Sequence, residues 1–145
     1  MIVRTILTNK ANHEVATTVA SQTVGEAAKL LSKWRIGAVL VLNDKQELVG
    51  ILSERDIVRG MSLHGGAIQD LTVGDLMTKN VVTCSTSDTL EALMSTMTNN
   101  RIRHLPVLEN GKLAGIVTIG DVVKARLDET TMQVDSLREY VMSAH

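Results

Sequence analysis

Phenylalanine is absent from this 145-residue chain, and tryptophan, tyrosine, cysteine and proline occur once each, as Trp34, Tyr140, Cys84 and Pro106. With so few aromatics the core has to be built from Val, Leu, Ile, Ala and Met, many of them β-branched and suited to buried strands. The same scarcity leaves no platforms on which the bases of a single-stranded nucleic acid stack. One cysteine forms neither an internal disulfide nor a zinc cluster, so Cys84 reads as an ordinary thiol. His13, His64, His104 and His145 are scattered without metal-ligand spacing. Fifteen basic residues oppose 16 acidic ones, a net charge of −1 that gives no general pull toward nucleic acid or an anionic membrane. No run reaches the roughly 20 apolar residues of a membrane span, and the first residues lack the apolar region of a signal peptide. Gly65-Gly66 is followed by no Lys-Ser/Thr, so no phosphate loop is present. The expectation is a reducing, soluble, cytoplasmic setting with no membrane and no nucleic-acid partner. A chain of this length also fits one compact domain with a working core.

What the chain does have is a repeat. Gly50-Ile51-Leu52-Ser53-Glu54-Arg55-Asp56 returns 65 residues later as Gly115-Ile116-Val117-Thr118-Ile119-Gly120-Asp121. Each is a short aliphatic strand, a hydroxyl residue, and a helix start with an aspartate three residues past the hydroxyl. Upstream, Val15, Thr17, Thr23, Arg35, Ile36, Val41 and Leu42 meet identical residues 66 positions later. Self-similarity at a fixed period sets the architecture before any local assignment.

The local signals fill in each half as β-α-β-β-α. Thr23 with Glu26 forms a capping box for a helix over 23–34. Strands follow at 38–42 and 48–52, and Ser53 caps a helix to about Met61. Thr72 with Asp75 caps a short helix near Met77. The second half restarts at the strand Val81-Val82-Thr83, and Asp88 with Glu91 caps a helix whose face is Leu90, Leu93, Met94 and Met97. Leu105 to Leu108 pairs with Leu113 to Val117 across Asn110-Gly111, a favoured tight hairpin turn. Pro106 cannot donate to a ladder and is expected at the start or the open side of its strand. Thr118 caps the last helix of the repeat, and a tail with Val134, Leu137 and Val141 on one face is expected to be an extra helix. The organisation is a lead-in at 1–14, repeats at 15–64 and 72–126, and a C-terminal helix at 127–145. The fold class is α+β, with helices packed on two small mixed sheets and the halves related by a pseudo-two-fold.

Gly-Ile-Leu-Ser-Glu-Arg-Asp, Gly-Ile-Val-Thr-Ile-Gly-Asp, Arg-Ile-Arg-His-Leu-Pro-Val and Val-Gly-Asp-Leu-Met-Thr, several motifs in the family's order along a duplicated chain, closely resemble a tandem pair of CBS (cystathionine β-synthase) domains, a Bateman module. The resemblance covers about residues 15–126 and implies a non-enzymatic sensor. Such modules bind adenosine-containing ligands in the cleft between repeats and regulate other proteins. AMP, ADP, ATP and NAD(H) are the expected ligands, with no catalytic cofactor, a homodimer as the expected assembly and an unknown regulated protein as partner. The dimer is expected through the repeat helices, whose Val24/Ala28/Leu31 and Leu90/Met94/Met97 faces serve internal and inter-chain packing alike.

On spacing alone Ser53/Asp56 and Thr118/Asp121 are hydroxyl-x-x-acid caps. The same geometry lets the carboxylate accept both hydrogen bonds of a ribose diol while helix amides and the hydroxyl face phosphate. The resemblance assigns ribose to the aspartates and the ribose-phosphate path to Ser53, Thr118 and the adjoining Gly120. It assigns base and phosphate to Ile36-Gly37-Ala38 and Ile102-Arg103-His104, and an adenine slot to Ala16, Val82, Ile51 and Ile116. Each of these aliphatics is plain core by its chemistry. Arg103 with His104 is either a solvated corner or a phosphate clamp, for which the guanidinium fork is suited. Arg55, beside Asp56, and Lys10, from the lead-in, are candidate cations for the other site. The preferred site carries Asp121 with Ala16, Ile36 and Gly37. The competing readings are a ligand-free oligomerisation module, an enzyme related to inosine monophosphate dehydrogenase (no barrel or catalytic cysteine loop is present), and a nucleic-acid binder.

Overall fold

The computed structural model describes residues 1–143. Along the chain it forms α1 (Val3–Asn9), β1 (Thr17–Thr18), α2 (Val24–Trp34), β2 (Ala38–Leu42), β3 (Leu48–Ser53) and α3 (Glu54–His64). A 3-10 turn (Gly65–Asp70) leads to α4 (Val73–Leu76), β4 (Cys84–Ser85), α5 (Leu90–Asn100), β5 (His104–Glu109), β6 (Lys112–Thr118) and α6 (Ile119–Ser143). This is the expected α+β class with two small mixed sheets, ordered β1-β2-β3 and β4-β5-β6. In one, β1 runs parallel to β2 and β2 antiparallel to β3; in the other, β4 runs parallel to β5.

The compact units do not follow the linear order of the repeats. One unit gathers Met1–His13, Thr83–Asn110 and Ala114–His145; the other gathers Glu14–Val82 and Gly111–Leu113. The lead-in is therefore a helix, α1, that belongs with the second repeat, while α4 stays with the first. Both are docked by the same three backbone bonds. In the first unit Val3 N–H donates to Asp88 O, Arg4 N–H to Thr86 O and Leu90 N–H to Met1 O. In the second, Val73 N–H donates to Gln22 O, Gly74 N–H to Ala20 O and Val24 N–H to Leu71 O.

Burial explains why each helix forms where it does. Val3 and Val73, at the starts of α1 and α4, are both 0 % exposed. The second unit's core is Ala16, Ala27, Leu31, Val39, Val41, Leu52 and Val73. In the first unit Ile6, Leu90, Leu93, Met97, Leu105, Val107, Val117 and Val122 are buried. Leu90, Leu93 and Met97 are the expected apolar face of α5, while Met94 is only partly covered.

Several local expectations change. Thr23 caps α2 by accepting from Glu26 N–H at 3.2 Å, but its own N–H donates to Gln22 Oε1 at 2.9 Å, so the reciprocal half of the box is missing. The cap of α5 is Thr89, which accepts from Ala92 N–H at 3.1 Å; Asp88 instead accepts from Ser85 N–H. Thr89 is the repeat partner of Thr23, so both repeats use the same hydroxyl. The strand expected at Val81 to Thr83 begins at Cys84, which pairs with Val107. Leu40 donates its N–H to Ala16 O at 3.0 Å, and its repeat equivalent is Pro106, which has no N–H. Pro106 is thus the third residue of β5, just ahead of the first β4 pairing. The tail is no separate helix but the continuation of α6 through Ser143; residues 144 and 145 of the expected C-terminal helix lie outside the described residues. Asn110 and Gly111 have φ values of 52° and 76°, as a two-residue hairpin loop with both central residues left-handed requires.

Candidate functional site

In each unit the aspartate sits one turn into a helix because the hydroxyl three residues earlier leaves its own N–H to be capped. Ser53 N–H donates to Asp56 Oδ2 at 2.9 Å and Asp56 N–H donates back to Ser53 Oγ at 3.3 Å. Thr118 N–H donates to Asp121 Oδ2 at 2.9 Å and Asp121 N–H donates back to Thr118 Oγ1 at 3.3 Å. Both are complete capping boxes, so the capping role is real in both repeats.

The remaining partners differ. Asp56 is 5 % exposed, and its two oxygens are both engaged. Oδ2 also accepts from Ser53 Oγ at 3.1 Å, while Oδ1 accepts from Thr78 Oγ1 at 3.1 Å and lies 3.6 Å from Arg59 Nη1. Asp121 keeps 20 % of its side chain exposed. Its Oδ2 takes the bonds from Thr118 N–H, from Thr118 Oγ1 at 3.1 Å and from Lys10 Nζ at 2.9 Å; Oδ1 takes none of these. Lys10 Nζ also donates to Ile116 O at 2.9 Å. The carbonyl of Ile51, the repeat partner of Ile116, is met instead by Thr78 N–H at 2.9 Å. Thr78 thus meets Asp56 through its hydroxyl and Ile51 O through its N–H, where Lys10 alone meets Asp121 and Ile116 O through its ammonium. Sequence spacing foresaw the caps, but nothing in it foretold that Thr78 closes over Asp56.

The expected residues divide between the units. With Asp121 stand Lys10, Ile102, Arg103, His104, Ile116, Thr118 and Gly120; with Asp56 stand Ala16, Ile36, Gly37, Ala38, Ile51, Ser53, Arg55 and Val82. Lys10, a candidate for the other site, lies on Asp121. Arg103 is exposed, and its carbonyl accepts from Ile119 N–H at 2.9 Å, as Gly37 O accepts from Glu54 N–H. Ala16 and Ala38 are buried; Ile36, Ile51, Val82, Ile102, His104 and Ile116 are partly so. Among the described residues no cluster of His, Cys, Asp or Glu has the form of a metal site. No described helix is long and apolar enough to cross a membrane.

The family model for the CBS domain matches residues 3–63 and 73–128. The chain is similar to the CBS-domain containing protein ATU1752 from Agrobacterium tumefaciens, whose crystal structure superposes with a TM-score of 0.84 at 44 % identity, covering 87 % of this chain and 99 % of that one. It is 34 % identical over 127 residues to the CBS domain-containing protein CBSX3, mitochondrial, of Arabidopsis thaliana, covering 85 % of this chain but only 62 % of that relative's length. It also resembles the CBS domain pair of protein MJ0100, solved in complex with 5′-methylthioadenosine and S-adenosyl-L-methionine (TM-score 0.77, 25 % identity, 89 % of this chain and 98 % of that one). With both repeats matched, the chain belongs to the CBS-domain family.

Proposed function

We propose that this chain is a non-enzymatic regulatory module that binds an adenosine-containing ligand, its ribose held by Asp121. The observation that carries this reading is the state of that carboxylate. It is fixed at the first turn of α6 by Thr118 through one oxygen, and it is partly exposed. Asp56 has the same cap but has both oxygens engaged inside its unit, which favours Asp121 as the working site. The adenosine ligands of the MJ0100 domain pair support the ligand class, and AMP, ADP, ATP and NAD(H) are the candidates. Binding would regulate a partner only through its different affinity for two arrangements of the protein.

Calorimetry and thermal shift against AMP, ADP, ATP, NAD, NADH and S-adenosylmethionine test the reading, with stabilisation rising with ligand concentration by mass action. Asp121→Ala should weaken the tightest ligand by about 1–3 kcal/mol, the worth of buried hydrogen bonds to ribose. Unchanged affinity removes Asp121 from the site.

A second reading, an oligomerisation module, is favoured by the apolar side chains left outside. Val24, Leu31, Leu90 and Met97 are spent inside the chain at 6 % exposure or less, so of the expected α2 and α5 faces only Ala28 and Met94 keep surface for a partner. Val58, Met61 and Leu63 on α3 and Leu127, Leu137 and Val141 on α6 are exposed instead. We infer a homodimer through these helices; a monomeric mass by light scattering at high protein concentration would rule it out.

A further inference from the structure

Past Glu129 the long helix α6 has no buried residue. Val122 and Ala125 anchor its first turns, and from Thr130 to Ser143 every residue is exposed. That is about four turns at 3.6 residues each, and isolated helices of this length are marginal in water. The composition does not rescue it, because Thr130, Thr131, Val134 and Val141 are β-branched and lose rotamer freedom in a helix. The stretch therefore needs packing beyond what its own unit supplies.

Its apolar residues are spaced for such packing. Val123, Leu127, Thr130, Val134, Leu137 and Val141 follow one another at alternating steps of four and three, the heptad pattern of a coiled-coil seam. The aliphatics among them are between 44 % and 62 % exposed. Thr130 is the polar member, and its hydroxyl already donates to Arg126 O at 2.9 Å, so burying it strands no donor. A seam without charge, in which every residue can face its own twin, suits a two-fold pair of identical chains. The flanks choose the orientation. With Leu127, Val134 and Val141 at heptad position a, the e and g positions hold Lys124, Arg126, Thr131, Gln133, Arg138 and Tyr140. A second copy laid parallel sets Arg126 beside Thr131 and Gln133 beside Arg138, with no like charges opposed. Laid antiparallel with the seam in register, it sets Lys124 against Arg138 at both ends. Arg126 is already met by Glu91 at 3.6 Å and Glu129 at 3.5 Å.

We propose that α6 pairs with α6 of a second copy as a short, parallel, two-stranded coiled coil along this seam. The inference rests on the homodimer reading above and assigns that contact to α6 rather than α3. A fully buried Val or Leu withdraws roughly 60–120 Å² of apolar surface. Half-exposed seam side chains and their flanks then bury on the order of 1,000 Å² in the pair, the low end for a specific interface. Pairing is thus reversible and concentration-dependent.

The test is sedimentation equilibrium of the full chain as wild type, Leu137→Glu and Met132→Glu, each first checked for a cooperative melt. Wild type should reach twice the 15.7 kDa chain mass as concentration rises. Leu137→Glu should weaken pairing by about tenfold or more, while Met132→Glu, on the outer face of the same helix, should leave it nearly unchanged. Oxidised Leu137→Cys should cross-link two chains and Asp135→Cys, outside the seam, should not; Cys84 is buried and takes no part. A monomeric wild type overturns both this pairing and the homodimer reading, and leaves the seam to a helix of another protein. A dimer that Leu137→Glu does not weaken, or that Met132→Glu weakens equally, overturns the seam but leaves the homodimer to α3. Failure of Leu137→Cys to cross-link overturns the parallel coil even where Leu137→Glu cannot be folded.

Discussion

Met77 fills the space in which Gly50 would carry a side chain: a Cβ built on Gly50 falls 2.5 Å from Met77 Sδ, 3.0 Å from Met77 Cγ and 3.2 Å from Thr78 O. Its repeat partner Gly115 stands in the same relation to α1, with Leu7 Cδ2 at 3.0 Å from the added atom. The bare backbone of each hairpin is what lets the docked segment lie flat on the strand. Gly50→Ala should therefore destabilise by about 1–3 kcal/mol, the range for overpacking. Gly115→Ala should cost less, because its nearest neighbours are the far atoms of one flexible leucine. Urea unfolding of the two variants checks the order, and a costlier Gly115→Ala would contradict it.

Asp56→Ala and Asp121→Ala should separate stability from binding. Removing Asp56 strips the α3 cap and leaves the Ser53 and Thr78 hydroxyls without their acceptor, a loss of about 2–3 kcal/mol. Removing Asp121 should cost about 1 kcal/mol, since water reaches the groups it leaves behind. Equal denaturation midpoints for the two variants would show that the buried network around Asp56 contributes nothing extra.

The terminal ammonium of Met1 donates to Glu129 Oε1 at 2.9 Å and ties the start of the chain to α6. That hydrogen bond raises the ammonium pKa above its ordinary 8.0 and holds the Glu129 carboxyl below its ordinary 4.5. A raised cation stabilises the fold fully below the unfolded value and loses that contribution as pH climbs through the folded one. A depressed acid contributes above the unfolded value and loses it as pH drops through the folded one. The pair's contribution is thus whole between about 4.5 and 8.0 and fades on both sides. Melting temperatures of wild type and Glu129→Gln should differ most inside this window and converge outside it. A constant gap across pH would refute the pairing.

Cys84 should be inert in the native protein. Burial, reinforced by the Asp88 carboxylate, pushes its thiol up to about 12, and Sγ donates to Pro106 O at 3.7 Å. Thiolate is the reactive form, so a disulfide reagent at pH 8 should label the folded chain at least about a hundredfold more slowly than the urea-unfolded one. Rapid labelling without denaturant would mean that the β4 edge opens readily.

Much of the fold was readable in the residues because its determinants are local. The hydroxyl-x-x-acid pairs, the Asn110-Gly111 turn and the apolar face of α5 each act over a few residues, and duplication supplied an internal check. Two local signals were also there to be read more closely. The repeat of Thr23 at Thr89 marks the true cap of α5, and no glycine or proline lies between Asp121 and Ser143 to break α6.

The chain's own order of residues determined the two-repeat plan, the strands and helices, and the caps that place Asp56 and Asp121. Tertiary structure alone decided that α1 joins the second repeat and α4 the first, and that an ammonium meets one aspartate and a hydroxyl the other. The reason is physical: a cap closes over three residues by backbone geometry. Which distant side chain arrives beside it depends on how apolar faces such as those of Val3 and Val73 find burial, and no short-range pattern encodes that choice.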